Sequence, residues 1–345
     1  MRRNFLAPAV HRSFALFALA LLPAVLDAQE RSMARDPALD NLVHPPGTET
    51  LPFATLGNVR RAGDGPRTLL LLPGLGFGDE IWADFIERHQ TDYRMIAVTL
   101  PGFGGTRPLP MPADDVAFAK TAWTRSSLQA LERLLEEEKP RQVTIVAHWA
   151  LATQIALRLA LDHPDQVESV ILASGVLKSY YESSPQMLDW TLEQRARFAE
   201  GMGQQWFKTV TRETWDDNNF MSYDYAVNPR RGLVLWRKAQ APTLPVWIRY
   251  LLEFYSLDLT PELKNLKVPT LVVQPGFDDP AYYVEPKMNY MRNLCHDSWR
   301  GVAELGAPIE FTTVPQSRLF LQYDRPEELD RVVRDFLKRT APPLR

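Results

Sequence analysis

A single cysteine, Cys295, in 345 residues excludes an intrachain disulfide, so the fold must be held by its core. Cys295 lies in a polar, helix-like stretch, Asn293-Leu294-Cys295-His296-Asp297, with no activating neighbour in sequence. It reads as a small packing residue rather than a nucleophile. There are six histidines, none at His-x-x-x-His spacing, and the carboxylates are scattered, so neither a metal site nor a cofactor is expected. Charge bias is also missing. The net charge is −3, the pI is about 6.1 and no basic stripe appears, which argues against nucleic acid or an anionic membrane surface as partner. Internal repeats and low-complexity tracts are absent, and the Pro-rich end, Ala341-Pro342-Pro343-Leu344, reads as a disordered tail.

Long apolar runs are scarce too, apart from Phe14 to Leu22 near the amino terminus. Arg2, Arg3 and Arg12 precede it, Pro23 breaks it, and Ala28 supplies a small residue at a cleavage point. This pattern predicts an export signal over residues 1–28 and a secreted or periplasmic product. The run is shorter than the roughly 20 residues that cross a bilayer, so no span is expected after cleavage. An uncleaved anchor is the alternative, and Arg2-Arg3-Asn4-Phe5-Leu6 resembles a twin-arginine signal.

What remains alternates. Apolar strand-like runs at Thr68–Leu72, Arg94–Leu100, Gln142–Ala147, Glu168–Ala173, Thr270–Gln274 and Ile309–Val314 are separated by helical periods. The longest of these runs from Val116 to Glu138, and the last from Pro326 to Leu337. Such alternation predicts a mostly parallel, doubly wound sheet covered by helices on both faces. The alternation stops between Ser174 and Leu259, where aromatics crowd into helical periods. That stretch predicts a helical cap over the sheet's carboxyl edge, where open α/β sheets bind ligands. The expected organisation is a core at 29–173, a cap at 174–260 and a second core portion at 261–345.

Four landmarks carry chemistry. Leu72-Pro73-Gly74-Leu75-Gly76-Phe77-Gly78-Asp79-Glu80-Ile81-Trp82 follows a strand, and Ala147-His148-Trp149-Ala150-Leu151 joins a strand to a helix. Pro275-Gly276-Phe277-Asp278-Asp279 follows a third strand, and Ser317-Arg318-Leu319-Phe320 precedes Pro326. In order and spacing, residues 60 to 340 resemble the α/β-hydrolase family, its cap-bearing branch of esterases, lactonases and haloperoxidase-like enzymes. The resemblance implies an α/β-hydrolase fold with a helical cap insertion. It implies oxyanion-binding backbone N–H groups at Leu75 and Ala150, and a triad carboxylate at Asp279. It also places Trp149 at the nucleophilic serine and Leu151 at the second glycine of Gly-x-Ser-x-Gly, and Leu319 at the histidine. Indole carries only a donor N–H and leucine moves no proton. His148 fills a slot that the family gives a structural histidine.

Family-type hydrolysis is therefore not expected. The leading reading is binding of a small apolar ligand, or of an unidentified protein partner, between cap and core. Gly74, Trp149, Leu319, Phe320, Trp247 and Tyr250 would line such a pocket. A second reading is an ester or lactone hydrolase using other groups, such as Asp279, His148, Arg249, Glu253 or Tyr250. Arg249 and Glu253, four apart, read as a surface ion pair. A third is a structural protein with its cleft closed by Trp149.

Overall fold

The computed structural model describes residues 56–180, 184–219, 221–279 and 290–340. The expected export signal and the Pro-rich tail lie outside these described residues.

Seven strands form one sheet: β1 (Val59–Ala62), β2 (Arg67–Leu72), β3 (Tyr93–Val98), β4 (Val143–His148), β5 (Val167–Ala173), β6 (Thr270–Pro275) and β7 (Ile309–Val314). Their spatial order is β1-β3-β2-β4-β5-β6-β7. All neighbours are parallel except β1 and β3, where Val59 faces Val98 and Ala62 faces Met95 in antiparallel register. The central strands are apolar throughout because both faces are covered. Every residue of β4 is buried, as are all of β2 after Arg67. The short edge strand β1, with Arg60 and Arg61 exposed, carries too little apolar signal to be read from sequence.

Helices cover both faces: α1 (Ala83–His89), α2 (Ala122–Glu138), α3 (Leu151–Asp162), and, at the end of the chain, α9 (Tyr290–Asp297), α10 (Leu321–Asp324) and α11 (Pro326–Arg339). Between β5 and β6 come α4 (Leu192–Thr209), α5 (Arg212–Asn218), α6 (Ser222–Tyr225), α7 (Pro229–Ala239) and α8 (Leu244–Ser256). The starts of these insertion helices are set locally. Thr191 and Thr211 close capping boxes with Gln194 and Thr214, and the Asn228 carboxamide oxygen accepts from the N–H groups of Arg230 and Arg231. Helix α2 begins at Ala122 rather than Val116, because Thr121 takes a left-handed backbone (φ 48°) after a short 3-10 turn.

Helix α8 joins the insertion to the core. Eleven of its thirteen residues are buried, Arg249 and Glu253 among them, so this pair is not on the surface as its i,i+4 spacing suggested. The Glu253 carboxylate accepts from the N–H of Trp123 (3.0 Å), the N–H of Thr124 (2.8 Å) and the Thr124 hydroxyl (2.7 Å). It thus caps α2, whose own N-cap side chain makes no capping bond. Arg249 completes the pair at 2.8 Å and lies over the Phe118 ring.

Candidate functional site at the carboxyl edge

Four strand ends meet at the sheet's carboxyl edge, and each carries one of the sequence landmarks. At the end of β4 the Trp149 N–H still pairs with the Ala173 carbonyl at 3.0 Å, so the ladder continues through Trp149. The chain turns at the next residue. Ala150 heads α3 with φ 51° and ψ −125°, a combination closed to ordinary L-residues. A sharp, strained strand-to-helix turn is where the fold presents a nucleophile. Trp149, which the motif puts at the nucleophile position, has positive φ as well (51°), so the strained turn spans Trp149 and Ala150.

The loop after β2 packs tightly against its neighbours. A β-carbon on Gly74 would sit 2.7 Å from Nδ1 of His148, and one on Gly76 (φ +89°) would collide with the Trp247 ring. Trp247 belongs to α8 and donates its indole N–H to the Ala239 carbonyl. Tyr250, one turn on, donates to the Pro101 carbonyl at 3.1 Å and packs on Phe103. These two aromatics are thus committed to holding the cap on the loops after β2 and β3.

His148 lies below the site, fully buried against Phe320 with ring centroids 4.4 Å apart. Its Nε2 donates to the Leu319 carbonyl (3.0 Å), which also accepts from Ser174 Oγ (2.6 Å). Nδ1 has no protein partner. Burial lowers its pKa to about 4, because protonation would add a second donor where nothing accepts.

Asp279 follows β6, as the spacing predicted, but its partner is a cation. Arg318 donates Nε to one carboxylate oxygen (3.0 Å) and Nη2 to the other (2.7 Å), with both side chains buried. The resulting fork is stronger than the turn-forming backbone bonds expected of an isolated loop Asp. Leu319, next along, is fully buried. The pairing of Arg318 with Asp279 had no sequence signature, since nothing in the motif says where a guanidinium reaches.

The remaining groups that sequence singled out are dispersed. His163 sits against Glu132 (2.8 Å), and His296 against the Pro275 carbonyl (3.2 Å). Cys295 is buried, and desolvation pushes its thiol pKa up. The residues that do converge are Phe77, Trp149, Tyr225 and Phe320. Tyr225 lies 6.5 Å from Trp149, 5.9 Å from Phe77 and 5.5 Å from Phe320, centroid to centroid. Phe77 and Tyr225 were not anticipated as pocket residues. The Trp149 Nε1 and the Tyr225 hydroxyl are buried without a protein partner. Burial, with Asp224 adjacent, raises the Tyr225 pKa. Two surface depressions, of about 300 and 250 Å³, lie elsewhere, one beside Pro269 and Ile309 and the other beside Leu135 and Val143.

The sheet order, the strained turn after β4 and the helical insertion after β5 define an α/β-hydrolase fold with a cap. The chain belongs to the alpha/beta hydrolase family, whose model matches residues 69–332. It is 28% identical over 155 residues to the pimeloyl-[acyl-carrier protein] methyl ester esterase of Vibrio vulnificus, covering 44% of this chain and 52% of that one. The chain spans about half the length of the first such esterases it matches. Among solved structures it resembles an esterase from Exiguobacterium antarcticum (TM-score 0.59, 15% identity, 83% of this chain and 100% of that one). It also resembles MenH from S. aureus (TM-score 0.56, 18% identity, 84% and 100%). At these identities the structures support the fold alone.

Proposed function

We propose that this chain is an exported, non-catalytic member of the family that binds a small neutral ligand between cap and core. The observation that carries the reading is the chemistry at the strained turn and its partner loop. Ala150 offers a methyl group, Trp149 a donor-only indole and Leu319 an aliphatic side chain. Among the described residues at these strand ends, no nucleophile stands beside a base, which acyl transfer through a triad requires. The groups available to replace them are engaged: Asp279 by Arg318, Glu253 by α2, Tyr250 by Pro101, and His148 as a neutral donor to Leu319.

The ligand half of the proposal is supported by the unpaired Trp149 Nε1 and Tyr225 hydroxyl. A buried polar group left unmatched costs about 1–3 kcal/mol, so such groups usually meet a water or a ligand. Both can donate, and their surroundings are apolar, which suits a small molecule with an acceptor oxygen on an apolar frame. A closed, purely structural cleft is the second reading, favoured by the 5% exposure of Trp149 and the complete burial of Phe77 and Leu319.

Mature protein is treated with a fluorophosphonate probe and a panel of short-chain aryl esters. No labelling and no turnover above buffer are expected, and turnover abolished by Asp279→Asn overturns the non-catalytic reading. Calorimetric titration with acetophenone then separates the other two. Binding weakened at least roughly fivefold by Trp149→Phe, the loss of about one hydrogen bond, supports the ligand site. An absence of heat supports the closed cleft.

A further inference from the structure

We infer that the Asp279–Arg318 pair is a latch that holds the cap segment around α6, which carries Tyr225, closed over Trp149. The last carbonyls of a helix need partners from outside it, and α6 has only four residues. The loop 318–320 supplies them in sequence. Arg318 Nη1 donates to the Tyr223 and Ala226 carbonyls, the Leu319 N–H donates to Asp224 (3.0 Å), and the Phe320 N–H donates to Tyr225 (2.9 Å). Asp324 closes the arrangement from the other side, its carboxylate accepting from the N–H of cap residue Val227 (3.0 Å) and from the N–H of Arg318 (2.9 Å).

The guanidinium reaches two cap carbonyls only while its other edge is fixed, and Asp279 fixes it with the bidentate fork. The carboxylate after β6 thus orients a cation that belongs to the cap contact. Tyr225 is carried on this same segment, so opening the latch moves one wall of the aromatic cluster. Access to that cluster is governed by residues 222–227 and not by the α8 side, where Trp247 and Tyr250 bind the cap to core loops.

Hydrogen exchange followed by mass spectrometry on the full chain tests this, comparing wild type with Arg318→Met, Asp279→Asn and the double variant. Arg318→Met is expected to speed exchange in peptides covering 222–240 at least tenfold while β4 and β5 keep their protection. Asp279→Asn gives a smaller rise in the same peptides, and the double variant adds nothing to Arg318→Met. Arg318→Lys retains a charge beside Asp279 but lacks the fork, and it falls between wild type and Arg318→Met. Unchanged exchange at 222–240 overturns the latch. So does a rise spread evenly through β4 and β5, which marks general destabilisation. If Arg318→Met does not fold, the Arg318→Lys and Asp279→Asn pair decides by the same criterion.

Discussion

At the scale of the residue, His148 shows how little a histidine's presence says about its role. Its Nε2 is used as a structural donor to Leu319, and its Nδ1 faces the loop at Gly74 with no acceptor. The folded protein therefore binds a proton at His148 only near pH 4, whereas the unfolded chain binds one near pH 6.5. Between these values the unfolded state holds more protons, so stability rises with pH through the window and is complete above it. The expected loss on acidifying from pH 7.5 to 4 is ~3 kcal/mol from this group. Urea unfolding across that range checks it, with His148→Gln flattening the slope by about that amount. A slope unaltered in His148→Gln would show that other groups set the acid response. The neutral, structural histidine was legible from sequence, because the slot before the elbow commonly holds one in the family. The strain of the turn that follows was not legible. It resides in the positive φ of Trp149 and Ala150, which composition does not record.

Helix α8 makes the corresponding point for an element. It lies in the stretch read as a helical cap, but two charges four apart carry the signature of a solvated face wherever they occur. What decides the matter is the uncapped start of α2, a partner more than a hundred residues away in sequence. Glu253→Ala removes three hydrogen bonds to α2 and leaves Arg249 buried without its anion. The expected cost is about 3 kcal/mol, since breaking a buried pair leaves an uncompensated charge. Equilibrium denaturation measures it, and a loss below about 1 kcal/mol would place the pair among those that behave as if exposed. The strands differed from the helix in legibility for a simple reason. A parallel strand covered on both faces is apolar by necessity and can be read alone, as β2 and β4 were, whereas the edge strand β1 is specified by pairing with β3.

For the whole molecule, the cap and core have separate sequence signatures but share their stabilising contacts. Trp247 presses on Gly76, Glu253 caps α2, and Arg318 joins Asp279 to the carbonyls of α6. An insertion of this kind buries little surface by itself, so these contacts make its folding conditional on the core. Thermal unfolding followed by near-ultraviolet and far-ultraviolet circular dichroism should give one coincident transition, because the aromatic cap cannot melt while the sheet persists. Gly76→Ala tests the coupling at its tightest point. The added β-carbon meets the Trp247 ring, and φ at this position is +89°, so relief requires α8 to move away from the loop after β2. A loss of about 2 kcal/mol or more is expected, with the two signals still coincident at a lower temperature. Separation of the transitions in the wild-type protein, with the aromatic signal lost first, would mean that the cap folds and unfolds on its own.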